Sequence, residues 1–264
     1  MAFARINGNM LFYREVGDGP LALFVHGFPL DHSLWLDQLK GLAHVRRCVA
    51  VDLRGFGRSD PADDSSLTAE MLADDLAGLI DFLGADRADI VSHSMGGYVA
   101  LALLDLQPSL FRSLTLIATR ANADSLEAKE ARDALAGRVL ERGRSAVATE
   151  LTIGMLGKNP SRRARARIRS MIEGTRYETF VAALDGMKGR QDRTLLLSEI
   201  DVPTLVIGGE DDFYTSVAAT RSMAEQTPAA RIVIVSDAGH TPQIEQPDFV
   251  NQALFELFEG RKVE

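Results

Sequence analysis

The chain has 264 residues, of which 46% are aliphatic, aromatic or Cys and 25% are charged, with 22 Gly and 9 Pro. That composition excludes disordered, collagenous and low-complexity classes, and the length suits one large domain or a domain carrying an insertion. With 29 Lys and Arg against 37 Asp and Glu the formal charge is −8, a field that repels phosphate backbones and anionic membranes, so neither nucleic acid nor membrane is expected as a partner.

Residues 1–20 are interrupted by polar residues and Gly before a secretory apolar region can form, and no apolar run approaches the ~20 residues of a spanning helix. A cytoplasmic protein is expected. Asn7-Gly8-Asn9 lies between strand-like runs at 2–6 and 10–16 and tolerates the positive φ of a two-residue turn, so the chain opens with an antiparallel hairpin. Short runs that are apolar at nearly every position follow at 21–26, 48–52, 88–92, 114–118, 203–208 and 231–236. Such runs suit strands buried on both faces, as in a parallel sheet. The single cysteine, Cys48, falls in one of them; it cannot close an intramolecular disulfide and reads as a buried structural thiol.

Helical periods separate the strands, for example Leu72, Leu76, Leu79 and Leu83 before Gly84, and Val99, Leu103 and Leu106 before Pro108. Alternating strand and helix implies an α/β architecture with helices on both faces and sites at the carboxyl ends of the strands. The alternation stops over 120–194, where helical patterns at 124–142, 145–156, 161–173 and 176–187 follow one another without a strand. This stretch reads as an insertion into a core built from 1–119 and 195–264. Asp124 with Glu127 resembles a capping pair for its first helix. Arg162, Arg163, Arg165, Arg167 and Arg169 lie opposite an apolar stripe of Ala164, Ile168, Met171 and Ile172 and are expected to form a solvated cationic face.

The strongest chemical signal is Ser92-His93-Ser94-Met95-Gly96-Gly97, placed where a buried strand ends and a helix begins. Small residues two before and two after Ser94 permit a sharp turn that pushes its hydroxyl out at the top of the sheet, although Ser92 departs from the usual Gly. The same turn aims the Met95 N–H toward a developing oxyanion. A serine hydroxyl needs a base within hydrogen-bond reach and a third group to orient that base. Of the five His, His240 fits best, in the loop Asp237-Ala238-Gly239-His240 after the last strand. His26 and His93 precede turns expected to direct their side chains away, and His32 and His44 lie in or near the helix containing Trp35. Glu210, Asp211 and Asp212 follow the preceding strand and offer three carboxylates to orient the imidazole. His26-Gly27-Phe28-Pro29 stands directly after the third strand, where the Phe28 N–H can supply a second oxyanion donor. Neither HExxH nor CxxC spacing occurs, and no stretch matches a P-loop or dinucleotide fingerprint, so neither metal nor cofactor is expected.

With HGFP, DLRGFGRS at 52–59, SHSMGG, VPTLVIGGEDD and DAGHTPQIEQP on almost its whole length, the chain resembles the α/β-hydrolase fold family, in particular its small bacterial esterases and lactonases with a helical cap. The resemblance implies a mostly parallel eight-stranded sheet with a cap over 120–194. It also implies a Ser94-Asp212-His240 triad, with Asp211 as the fallback acid. Hydrolysis of a small-molecule carboxylic ester or lactone without a cofactor is then expected, through an acyl-enzyme held by the Phe28 and Met95 N–H groups. Carbon–carbon bond hydrolysis, perhydrolysis or ligand binding with little turnover are the alternatives on the same framework. Met155, Phe180 and Leu184 are expected either to roof the substrate pocket or to pack the cap on the core. Arg120 suits either a substrate carboxylate or a structural ion pair.

Overall fold

Asn7 and Gly8 take φ of 48° and 83°, both left-handed, which is what a two-residue hairpin turn between right-twisted strands requires. They join β1 (Ala2–Ile6) to β2 (Asn9–Val16), paired antiparallel from Ala2↔Tyr13 to Ile6↔Asn9. The computed structural model describes residues 1–62, 67–228 and 230–260; the parts of the expected core at 63–66, 229 and 261–264 lie outside the described residues. After β3 (Leu21–Val25) a 3-10 turn over His32–Trp35 leads into α1 (Leu36–Leu42) and β4 (Arg47–Val51). Then α2 (Ala69–Phe82), β5 (Ala88–His93), α3 (Met95–Leu106) and β6 (Phe111–Ile117) alternate.

Four helices follow in succession: α4 (Leu126–Arg142), α5 (Arg144–Met155), α6 (Arg162–Gly174) and α7 (Tyr177–Lys188). The alternation resumes with β7 (Thr204–Gly209), α8 (Val217–Glu225), β8 (Arg231–Val235), α9 (Pro242–Glu245) and α10 (Pro247–Phe258). The eight strands form one sheet in the order β1-β2-β4-β3-β5-β6-β7-β8. Only β2 runs against its neighbours; every other pairing, from β4·β3 to β7·β8, is parallel. Every residue of β3, β5 and β7 is buried, because helices cover both faces; that is why these strands carry no polar alternation. Cys48 is buried in β4, and the thiol is pushed up to about 12 by burial, consistent with an inert structural role.

The insertion is attached differently from what charge patterning implies. Arg163 and Arg167 of α6 both reach Asp37 on α1, and Arg167 also donates to the Ser33 carbonyl, with its side chain only 12% exposed. Arg169 pairs within its helix with Glu173. The basic run is therefore divided: two members clasp the core, and the expected uniform solvated face is corrected. The helix phase that turns Ala164 and Ile168 inward brings Arg167, one residue earlier, to the rim of the same interface. Ser125, not Asp124, caps α4 by accepting from the Ala128 N–H. Asp124 is instead held by Arg132 and Arg190. Burial alone would raise its pKa, but the two guanidinium groups outweigh this and hold the carboxyl below the usual range.

Candidate active site

At the end of β5 the chain turns so tightly that Ser94, the residue before α3, adopts φ 51° and ψ −115°. For a side chain with a Cβ such a conformation costs of order 1–3 kcal/mol and persists only where its surroundings enforce it. The enforcement is visible. The Ser94 N–H donates to the Ile117 carbonyl at 2.9 Å, and the Ser94 carbonyl accepts from Gly97 N–H at 2.8 Å and Thr119 Oγ1 at 2.7 Å. A Cβ at Gly96 would sit 2.6 Å from the Val25 carbonyl oxygen, so only glycine lets α3 approach β3 this closely. Ser92, which stands where glycine is usual, is fully buried and donates its hydroxyl to the Thr115 carbonyl at 2.8 Å. Its size satisfies the turn, and its polarity is met within the sheet.

His240 reaches this hydroxyl from the loop after β8, with Nε2 2.9 Å from Ser94 Oγ. Its Nδ1 lies 2.9 Å from Asp212 Oδ2 and 3.0 Å from Oδ1. An ionised carboxylate can only accept, so Nδ1 carries the hydrogen and Nε2 is left to accept from serine. The Asp212 side chain is fully buried and is itself fixed by the Tyr214 and Thr215 N–H groups, at 2.8 and 2.9 Å. The neighbouring Asp211 faces the other way. It pairs with Lys158 of the insertion at 2.6 Å, which holds its carboxyl below the usual range, and Glu210 is exposed. Of three adjacent carboxylates one touches the imidazole.

The HGFP turn lies against the serine turn: a Cβ at Gly27 would fall 2.9 Å from Ser94 Cβ. The Phe28 and Met95 N–H groups have no acceptor among the described residues. The structure brings Phe180 edge-on to Phe28, ring centroids 4.7 Å apart, and buries it completely. Met155 is buried beside the histidine loop, its carbonyl accepting from Thr241 Oγ1 at 3.2 Å, and Leu184 is buried within α7. Arg120 donates through Nη2 to the Tyr214 carbonyl, so this contact braces the loop that carries Asp212. Tyr214 in turn packs edge-on to His240 at 5.1 Å between centroids, and its hydroxyl is pushed up to about 12 by burial.

Two contributors were not recognisable beforehand. His93, expected to point away, places Nε2 2.8 Å from the His240 carbonyl. Glu245 accepts from Gly157 N–H at 2.7 Å and Gly239 N–H at 2.8 Å, stapling the insertion to the histidine loop, while burial raises its pKa. Its only signal was its place five residues after His240, and nothing in the chain marks Gly157 as its partner. Of the remaining histidines, His26 accepts from Leu53 N–H at 3.0 Å, His44 stacks on Phe255, and His32 lies 2.8 Å from Asp52 Oδ1. Asp31, His32 and Asp52 gather three potential ligand atoms within 4.8 Å of one another. Their oxygens already accept from the His32, Ser33 and Arg58 N–H groups, so the cluster serves to hold its loops.

The arrangement places an imidazole within hydrogen-bond reach of an alcohol side chain, beside a turn with two N–H donors that are free among the described residues. The α/β hydrolase fold model matches residues 20–247. A thermophilic esterase from Thermogutta terrifontis, solved with malate bound, superposes with TM-score 0.94 at 36% identity, covering 98% of this chain and 99% of that one. The enol-lactonase from Burkholderia xenovorans LB400 superposes with TM-score 0.90 at 28% identity, covering 98% and 100%. A non-heme chloroperoxidase from Kitasatospora aureofaciens is 31% identical over 256 residues, 89% of this chain and 90% of its own. The span of the family match, the sheet order and the sequence likeness agree: the chain belongs to the α/β hydrolase fold family.

Proposed function

We propose that the protein hydrolyses carboxylic esters of small or medium acyl groups, lactones included, through Ser94, His240 and Asp212, with residues 120–194 acting as a cap. The observation that supports this reading is the continuous relay from Asp212 through His240 to Ser94 Oγ, with both contacts at 2.9 Å. His240 takes the hydroxyl proton as Ser94 Oγ attacks the ester carbonyl. The Phe28 and Met95 N–H groups hold the oxyanion, each worth on the order of 3 kcal/mol in the barrier. His240 Nε2–H then protonates the departing alkoxide, and the bond to the alcohol breaks. Water, deprotonated by the same nitrogen, attacks the acyl-enzyme and releases the carboxylic acid and free Ser94. Ester and water balance acid and alcohol with no change of oxidation state, so the chemistry calls for no cofactor.

Phe180, packed edge-on against Phe28 of the turn beside Ser94, favours an apolar acyl group beneath the cap. The lactone part of the reading draws support from the likeness to the enol-lactonase. The test is a panel of p-nitrophenyl esters of increasing acyl length, with aliphatic lactones, measured against Ser94→Ala. Turnover that vanishes in the variant is expected; absence of turnover above the variant on every substrate overturns the proposal. Stoichiometric labelling by a fluorophosphonate without turnover would point to a ligand receptor. The 31% identity to a non-heme chloroperoxidase favours a second reading, in which hydrogen peroxide replaces water at the acyl-enzyme and releases a peroxycarboxylic acid. Halide oxidation in acetate and peroxide, lost in Ser94→Ala, is its signature.

A further inference from the structure

His93 is not part of the relay, yet its imidazole touches it. The ring is fully buried, and Nε2 lies 2.8 Å from the main-chain carbonyl of His240. A carbonyl can only accept, so Nε2 carries the hydrogen and Nδ1 is the bare nitrogen, which has no partner among the described residues. Its ring also stands edge-to-face on the His240 ring, with centroids 5.0 Å apart and planes at 62°. The seat is closed from below, since a Cβ at Gly27 would fall 2.6 Å from His93 Nδ1.

We infer that His93 is a positioning residue that sets the place of His240 relative to Ser94, an inference that rests on the hydrolase reading above. The reason lies in where each tie to the histidine loop begins. Gly239 is held by Glu245 from α9, and Thr241 by Met155 from the insertion. Among these ties only the one from His93 starts on the strand that ends in the nucleophile, one covalent link before Ser94. It therefore fixes the separation of base and nucleophile through the backbone, whether or not the serine–histidine hydrogen bond is made at that instant. That bond must break and re-form in each half-reaction, so a tether independent of it keeps the imidazole in range. Burial, with His240 beside it, pushes the His93 pKa well below the usual histidine value. The ring therefore stays neutral and adds no charge repulsion when His240 becomes an imidazolium.

His93→Leu removes the donor and keeps the bulk; His93→Gln restores an N–H at about the reach of Nε2. With p-nitrophenyl acetate, His93→Leu is expected to lower kcat by about 10- to 100-fold with KM within about two-fold, the loss expected from sub-ångström to ångström misplacement. His93→Gln should return kcat to within about three-fold of wild type. A merely structural role would lower Tm in both variants and leave kcat per folded molecule unchanged. A folded His93→Leu with wild-type kcat, or a His93→Gln no better than His93→Leu, overturns the inference. If the wild type turns over no ester, the hydrolase reading falls, and the positioning role is decided by NMR. The Nδ1–H resonance of His240 should broaden and exchange faster in His93→Leu, and an unchanged resonance overturns the inference.

Discussion

The central strands are buried throughout, whereas the inserted helices join an apolar inner face to polar ties at their rim. In β3, β5 and β7 every residue is buried, whereas α4 buries Val139 alone among its 17 residues. The insertion compensates with polar ties at its rim: Arg167 on Asp37 and the Ser33 carbonyl, and Lys158 on Asp211. Thr175 Oγ1 donates to the Pro29 carbonyl, and Thr179 Oγ1 to the Gly55 carbonyl. Apolar burial is non-directional and tolerates many sequences, but each polar tie needs a named partner at a set distance. Because α5, α6 and α7 also bury apolar side chains such as Leu151, Ile168 and Phe180, the polar ties set where the insertion sits and do not replace apolar burial.

The sharpest test of that contrast uses two adjacent carboxylates, one turned to the core and one to the cap. Asp212→Asn should lower kcat by up to about 10⁴-fold, because an amide in place of the carboxylate favours the wrong histidine tautomer. Asp211→Asn should leave kcat within a few-fold, since it loses only a contact to an exposed lysine; steady-state kinetics on one ester distinguishes them, and the reverse result would reassign the acid. Arg167→Met comes next. Because the Ser33 carbonyl keeps the Leu36 N–H and Asp37 keeps Arg163, losing the Arg167 donors should cost about 1 kcal/mol locally, some five-fold in amide exchange. That acceleration should be confined to α6 and its neighbours; equal acceleration in β3 and β5 would mean that core and cap open as one unit.

A third effect rests chiefly on the core. Burial pushes the pKa values of both His26 and His93 below the ordinary 6.5. As pH falls below about 6.5 the unfolded chain binds protons that the folded core refuses. Stability therefore drops on acidification, by at most about 1.4 kcal/mol per pH unit for each ring and only until the folded ring itself takes up its proton. Glu245, raised by burial, works in the opposite sense: folded, it keeps its proton to higher pH than unfolded, so it favours the folded state on the acid side. Urea unfolding at pH 7, 6 and 5 reads the net slope, and the slope should lessen in His93→Leu; a profile flat in both proteins would show that the imidazoles ionise in place.

How much was legible follows from the same division. Runs such as 21–26 and 203–208 announce strands because a doubly covered strand must be apolar at every position, and Asn7-Gly8 announces its turn by conformational preference alone. Ser94 was recognisable from the small residues around it. Asp212 was separated from Asp211 only by family resemblance, since both are acidic and stand side by side. What stayed hidden were partnerships across long separations. Arg163, Arg165 and Arg167 look alike in the chain, and nothing near them says that Asp37 will face two of the three. Asp124 and Ser125 are both good caps, and the choice was made by Arg132 and Arg190, which draw Asp124 away. His93 was misread for a related reason: a strand end tells which side a residue takes, not which loop awaits it there.

The turn between α5 and α6 touches both loops that converge on Ser94, Lys158 meeting the one that bears Asp212 and Gly157 sharing Glu245 with the one that bears His240. Anyone transplanting a foreign lid onto this sheet therefore faces more seams than the two chain crossings. Splicing cleanly where the chain leaves β6 and rejoins β7 will not suffice; the graft must also offer Glu245 a backbone N–H at its midpoint, where a Cβ would fall 3.1 Å from the Gly239 nitrogen.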